Sequence, residues 1–261
     1  MNPFEIFKQK PDKAPFENWK PSKLRGGSAE FFDLPAHPEI VVRKFSEFGV
    51  KQDGKNLTNA ESIGYWSERA KALEGFADRY GIKMAKTGYF VGNDPRFTSE
   101  TEGESSPAFM AATEKISGKN LKEIPEFDEK SAVEVDNMFS GLFAGIRDSY
   151  NEDGYWWRDY GNTQVMYGIA PKETEPHVYI VDVDPRMAKW NEFLPQRKEY
   201  IFWSDMGLIF EKMKELEKKY AHSTKQFENA RKTLADIITK MPVPTNETAI
   251  DLREQLISGL R

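Results

Sequence analysis

Residues 155–184 read YWWRDYGNTQVMYGIAPKETEPHVYIVDVD, and the rest of the chain is read outward from this stretch. Asp159 lies in a polar, glycine-containing loop that follows a helical pattern over 128–150 and precedes a strand-like run, Gln164 to Tyr167. A second strand-like run, His177 to Val183, leads into Asp182-Val-Asp184. Alternate residues of a strand point to one side, so these two carboxylates suit a hard, oxygen-liganded cation such as Mg²⁺. A loop carboxylate such as Asp159 can orient an attacking hydroxyl and take its proton. The same residues also admit a plainer reading, with Asp159 as a turn acceptor and the Asp pair at the solvent side of a strand end.

Upstream, four prolines (Pro3, Pro11, Pro15 and Pro21) predict an extended arm, with Phe4, Phe16 and Trp19 as anchors. Gly26-Gly27-Ser28 precedes a run from Ala29 to Leu34. A turn at 35–38 then leads to Ile40-Val41-Val42-Arg43-Lys44-Phe45, which predicts a hairpin. Residues 47–58 read as a loop. Ile63, Trp66, Ala70, Leu73, Ala77 and Tyr80 fall on one face of a helix over 59–80, with Asn59 as N-cap and Gly81 just past its end. Strands are expected at 82–91 and 107–113, with an acidic loop between them. Past the Asp pair the chain reads as helices at 204–221, 224–240 and 246–259. Strands concentrated early and helices late predict an α+β protein.

Composition narrows the chemistry. With no cysteine, disulfides, thiolate metal sites and Cys nucleophiles are excluded. His37, His177 and His222 are too far apart in sequence for a histidine zinc motif. A net charge of −5 argues against nucleic-acid binding through bulk charge. No apolar run approaches the ~20 residues that span a bilayer, and the first residues lack a signal-peptide core. The expectation is therefore a cytoplasmic protein with neither membrane nor nucleic-acid partners.

Asp159 with Gln164, followed eighteen residues later by Asp182-Val-Asp184, resembles the catalytic and metal segments of the protein-kinase-like superfamily. The style is closest to aminoglycoside- and choline-kinase-type phosphotransferases. The resemblance spans residues 24–187. It departs from the family pattern where Trp157-Arg158 precedes the Asp in place of His-Arg, where Gln164 replaces Asn, and where no Ala-Pro-Glu follows Asp184.

The resemblance implies a two-lobed fold: an arm (1–23), a small antiparallel-sheet lobe with one long helix (24–115) and a mainly helical lobe (116–261). It implies ATP and Mg²⁺ as cofactors, and phosphate transfer to a hydroxyl on an unnamed small molecule or protein. Gly26, Gly27 and Ser28 would then cover phosphates as a shortened glycine loop. Arg43 or Lys44 would pair with the α/β-phosphates, with Glu68 as that cation's partner. Glu114, in the segment Phe109 to Leu121, would sit at the hinge that holds adenine. Asp159 would be catalytic, and Gln164, Asp182 and Asp184 would hold the metal. The alternatives are a pseudokinase that binds nucleotide or serves as a scaffold, and a structural protein outside the family.

Overall fold

The protein was analysed as a computed structural model, which describes the chain outside residues 1–19, 22–28, 36, 46–50, 53–54, 57–58, 93–107, 161–163, 182–186 and 220–226. In chain order come β1 (Lys20–Pro21), β2 (Ala29–Asp33), β3 (Ile40–Phe45), β4 (Lys51–Gln52), β5 (Lys55–Asn56) and α1 (Asn59–Arg79). Next are β6 (Lys83–Met84), β7 (Thr87–Gly92), β8 (Ala108–Glu114), β9 (Ser117–Asn120), α2 (Glu129–Asn151) and β10 (Tyr155–Trp157). The last are β11 (Val165–Ile169), β12 (His177–Ile180), β13 (Met187–Lys189), α3 (Pro195–Glu217), α4 (Glu228–Lys240) and α5 (Glu247–Leu260). This is a mixed α+β protein with five α-helices among the described residues and mostly antiparallel sheets. None of those helices is long and apolar enough to cross a membrane.

The chain divides into two compact units. The first comprises Met1–Lys71, Ala85–Ser117 and Ala170–Lys172. Its five-stranded sheet runs β1-β2-β3-β8-β7, antiparallel at every step. The predicted hairpin is its centre, with Phe32 opposite Val42 and Val42 opposite Ala112. Strand alternation sends Phe32, Ile40, Val42, Met110, Ala112 and Phe90 to one face, where all six are buried. Trp66 of α1 stacks on Tyr89 at 6.4 Å. Tyr89 pairs with Ala111, and Ala111 with Arg43, so α1 approaches the opposite face of the sheet.

The second unit comprises Ala72–Met84, Gly118–Ile169 and Glu173–Arg261. Its core joins the end of α1 to α2, α3, α4 and α5, with Leu73, Val135, Phe143, Ile146, Phe202, Met206 and Leu234 buried. A sheet runs β6-β12-β11-β9, with β12 and β6 parallel, and a separate ribbon pairs β10 with β13. Local signals set the helix ends. The Asp128 side chain accepts from the Ser131 N–H at 2.7 Å, and that of Asn246 from the Ala249 N–H at 3.1 Å. α1 closes in a Schellman turn: Ile82 N–H donates to Ala77, Gly81 N–H donates to Asp78, and Gly81 takes φ +67°.

Several expectations need correction. The strand expected over 82–91 is two strands in different sheets, because the chain leaves β6 at Ala85 and enters β7 at Thr87. Residues 47–58 are not wholly loop, since Lys51 pairs with Asn56 across a small hairpin. α1 begins at Asn59 itself. Tyr155–Trp157 is a strand, because β13 supplies its partner from far along the chain. α3 starts at Pro195, well before residue 204, with Pro at its first position, where a missing N–H costs nothing. The arm's described end, Lys20–Pro21, pairs with β2, while Phe4, Phe16 and Trp19 lie outside the described residues.

Candidate functional site

Asp159 sits at the end of a firmly held segment. Trp156 and Trp157 on β10 are fully buried. Trp156 stacks on Trp190, with ring centroids 3.7 Å apart and planes 9° from parallel. The Trp190 indole donates to Ser149 Oγ at 2.9 Å. The Trp156 indole donates to Asp205 Oδ2 at 2.7 Å. Asp205 is 1% exposed, and it also pairs with Arg158, Nε to Oδ2 at 3.2 Å and Nη2 to Oδ1 at 3.3 Å. Burial pushes the Asp205 carboxyl above its ordinary range, against the opposing pull of the Arg158 charge and the Trp156 and Arg158 hydrogen bonds. Burial also pushes the Tyr160 phenol well up, with the Asp205 charge adding to it. On one side of half-buried Asp159, partly exposed Arg158 is held by buried Asp205, and on the other the Tyr160 ring meets that of Trp157 edge-on at 5.7 Å.

The residues that flank the second candidate segment are linked to the first. β11 and β12 form an antiparallel hairpin in which Val165 faces Ile180. One step further out, the Val181 N–H donates to the Gln164 carbonyl oxygen at 2.9 Å. On the other side, Trp157 pairs with Met187. Residues 158–164 and 181–187 are thus flanked by the same two cross-links, Trp157 with Met187 and Gln164 with Val181. Asp182 and Asp184 lie outside the described residues, between Val181 and Met187. Among the described residues no three His, Asp or Glu side chains cluster as metal ligands. Gln164 is half-buried.

Within the first unit, Arg43 and Lys44 are consecutive on β3 and so project to opposite faces. Lys44 lies on the Ile40–Val42 face, with Nζ 3.8 Å from Glu30 Oε2. Arg43 lies on the face that α1 approaches, with its guanidinium carbon 6.0 Å from the Phe31 ring centroid. Glu68 is on the exposed side of α1. Glu114 ends β8, where its N–H donates to Lys86 O at 2.9 Å and the Lys115 N–H donates to Glu39 O at 2.8 Å. Both amides already have protein acceptors. Beyond them Ser117–Asn120 is β9, paired with β11. Gly26, Gly27 and Ser28 lie outside the described residues.

The residue that sequence reading missed is Asp205. Its signal was present: an acid inside the apolar run Ile201-Phe-Trp-Ser-Asp205-Met206 marks a buried carboxylate that needs partners. No protein-family model matches the chain, and no curated protein matches its sequence.

Proposed function

We propose that this chain is a kinase-like phosphotransferase that uses ATP with Mg²⁺, and that its sheet-bearing and helix-rich units are the two lobes of that fold. The observation that carries the reading is the pair of cross-links around Asp159, Trp157 with Met187 and Gln164 with Val181. They bring together the ends of two separate segments, 158–164 and 181–187, that hold the acids the chemistry needs. The donor set fits a hard cation: an amide oxygen from Gln164 and carboxylates from Asp182 and Asp184.

Asp159 accepts a hydrogen bond from the acceptor hydroxyl, aligns its oxygen on the γ-phosphorus, and takes its proton as the new O–P bond forms and the bond from that phosphorus to the β,γ-bridging oxygen breaks, with ADP leaving. Asp205 keeps Arg158 and Trp156 in place, so Asp159 is presented from a fixed segment. Mg²⁺, when bound, neutralises charge on the phosphates. Of the two cations on β3, Arg43 is the better phosphate partner, because it shares its sheet face with α1 and offers a planar fork of donors. Lys44 instead lies near Glu30 beside an apolar cluster.

The absence of His before Asp159 and of Asn at Gln164 favours a second reading, a pseudokinase that binds nucleotide without transfer. A thermal-shift titration with ATP, with and without Mg²⁺, tests both. A Mg²⁺-dependent rise in Tm that disappears in Asp182→Asn is expected. The same rise with no phosphate transfer selects the second reading, and no rise under either condition removes both.

A further inference from the structure

Lys219, just past α3, makes an unusual set of contacts. Its Nζ donates to three main-chain carbonyl oxygens of one short segment: Leu121 at 3.1 Å, Lys122 at 2.5 Å and Ile124 at 2.9 Å. An ammonium group has three N–H donors, so this one segment satisfies all of them. Its main chain takes part as well, since the Phe127 N–H donates to the Lys219 carbonyl at 3.2 Å. The residue therefore holds the 121–127 connection at both ends. From there the Leu121 N–H donates to the Val165 carbonyl at 3.1 Å, and Val165 opens β11 next to Gln164.

We propose that the carbonyls of Leu121, Lys122 and Ile124 form a monovalent-cation cradle which Lys219 fills from within the chain, and that filling it holds the Leu121–Val165 contact. Neutral backbone carbonyl oxygens are what coordinate potassium in channel filters, and the same oxygens accept hydrogen bonds from an ammonium group. They do not match a divalent ion: Mg²⁺ demands oxygens at about 2.0–2.1 Å in octahedral geometry, and Ca²⁺ sites are rich in carboxylates. The ligand class is thus a small ammonium or an alkali cation, with the lysine as its tethered form. The inference stands on backbone geometry and does not depend on the phosphotransferase reading.

The test is amide hydrogen exchange on the full chain carrying Lys219→Ala. Exchange at the Leu121 amide is expected to speed up about tenfold or more, the scale of losing charge-assisted hydrogen bonds. Methylammonium chloride slows it back toward the wild-type rate. Tetramethylammonium chloride at equal ionic strength does not, because it has no N–H to donate. Unchanged exchange in the variant, restoration by both salts alike, or restoration by neither overturns the cradle. Should Lys219→Ala fail to fold, Lys219→Met keeps the aliphatic stem and is read in the same way without salts. Faster exchange at Leu121 with the Ala230 amide of α4 unchanged then supports the proposal, and any other pattern overturns it.

Discussion

The amide of Val181 donates to the main-chain carbonyl of Gln164 at 2.9 Å, which extends the β11–β12 hairpin by one bond beyond its last paired residues. This bond uses backbone atoms alone, so the Gln164 side chain is not needed to make it. Gln164→Ala is therefore expected to change stability by less than about 1 kcal/mol, as for other part-exposed positions away from capping or core roles. Affinity for Mg·ATP should fall at least about tenfold if the amide oxygen is a metal ligand. Urea denaturation and calorimetric titration separate the two effects.

Asp205 links Trp156 and Arg158 from inside the core. Asp205→Ala strands a buried indole N–H and should cost about 2–4 kcal/mol, toward the lower end of what breaking a buried pair costs, since Arg158 is 38% exposed and can turn to water. Asp205→Asn keeps an acceptor for Trp156 and removes a charge that burial opposes. It should cost less than the alanine change. Equal losses in urea denaturation would contradict this account of the site.

Two acids on α2 shift in opposite directions. Burial pushes Asp136 above its ordinary value of 3.8, although the N–H groups of Ala230 and Asn229 pull it down. Burial also raises Asp148, but hydrogen bonds from Arg147 and Tyr80 outweigh it and hold the carboxyl below 3.8. The signs follow from linkage. The contribution of Asp136 is full below 3.8 and is lost as pH rises through its raised value. That of Asp148 is full above 3.8 and is lost as pH falls through its lowered value. Across the acidic range, wild type should lose ground to Asp136→Asn on alkalinisation and to Asp148→Asn on acidification. Denaturation midpoints measured at a series of pH values check both slopes.

Gly118 is held to glycine by space. A Cβ there would lie 2.1 Å from the Tyr167 carbonyl oxygen and 2.5 Å from Gly168 Cα, both backbone atoms of the adjoining strand. Gly118→Ala should destabilise the chain by about 1–3 kcal/mol, the usual cost of overpacking. The loss should centre on the β9–β11 contact, read as faster amide exchange at Leu121.

How much could be read in advance depended on whether the partner was local. The Phe32–Val42 hairpin and the Ala70–Leu73–Ala77 stripe of α1 carry their own periodicity, and both formed where periodicity placed them. Gly118 lies in the segment Phe109 to Leu121, but it serves the close approach of β9 to β11, which only the fold supplies. The run Tyr155-Trp-Trp157 is too short to mark a strand without β13 beside it. The start of α3 is masked by the charged stretch Gln196-Arg-Lys-Glu199, which reads as loop until the buried face that begins at Ile201 is known. In the candidate site, Asp159 and Gln164 were legible as chemistry. The partners of Asp205, and outside that site those of Lys219, were not, because they lie some fifty to a hundred positions away.

In the proposed phosphotransferase, Gln164 and Asp182 share one nucleotide-bound cation. Nuclear magnetic resonance with Mn²⁺ and ATP measures it directly, since a paramagnetic ion broadens signals from its near neighbours. The account predicts selective broadening of the Gln164 side-chain amide and the Val181 backbone amide, with Ala230 on α4 unaffected, and loss of that pattern in Asp182→Asn. Uniform broadening, none at all, or the same pattern in the variant would contradict it.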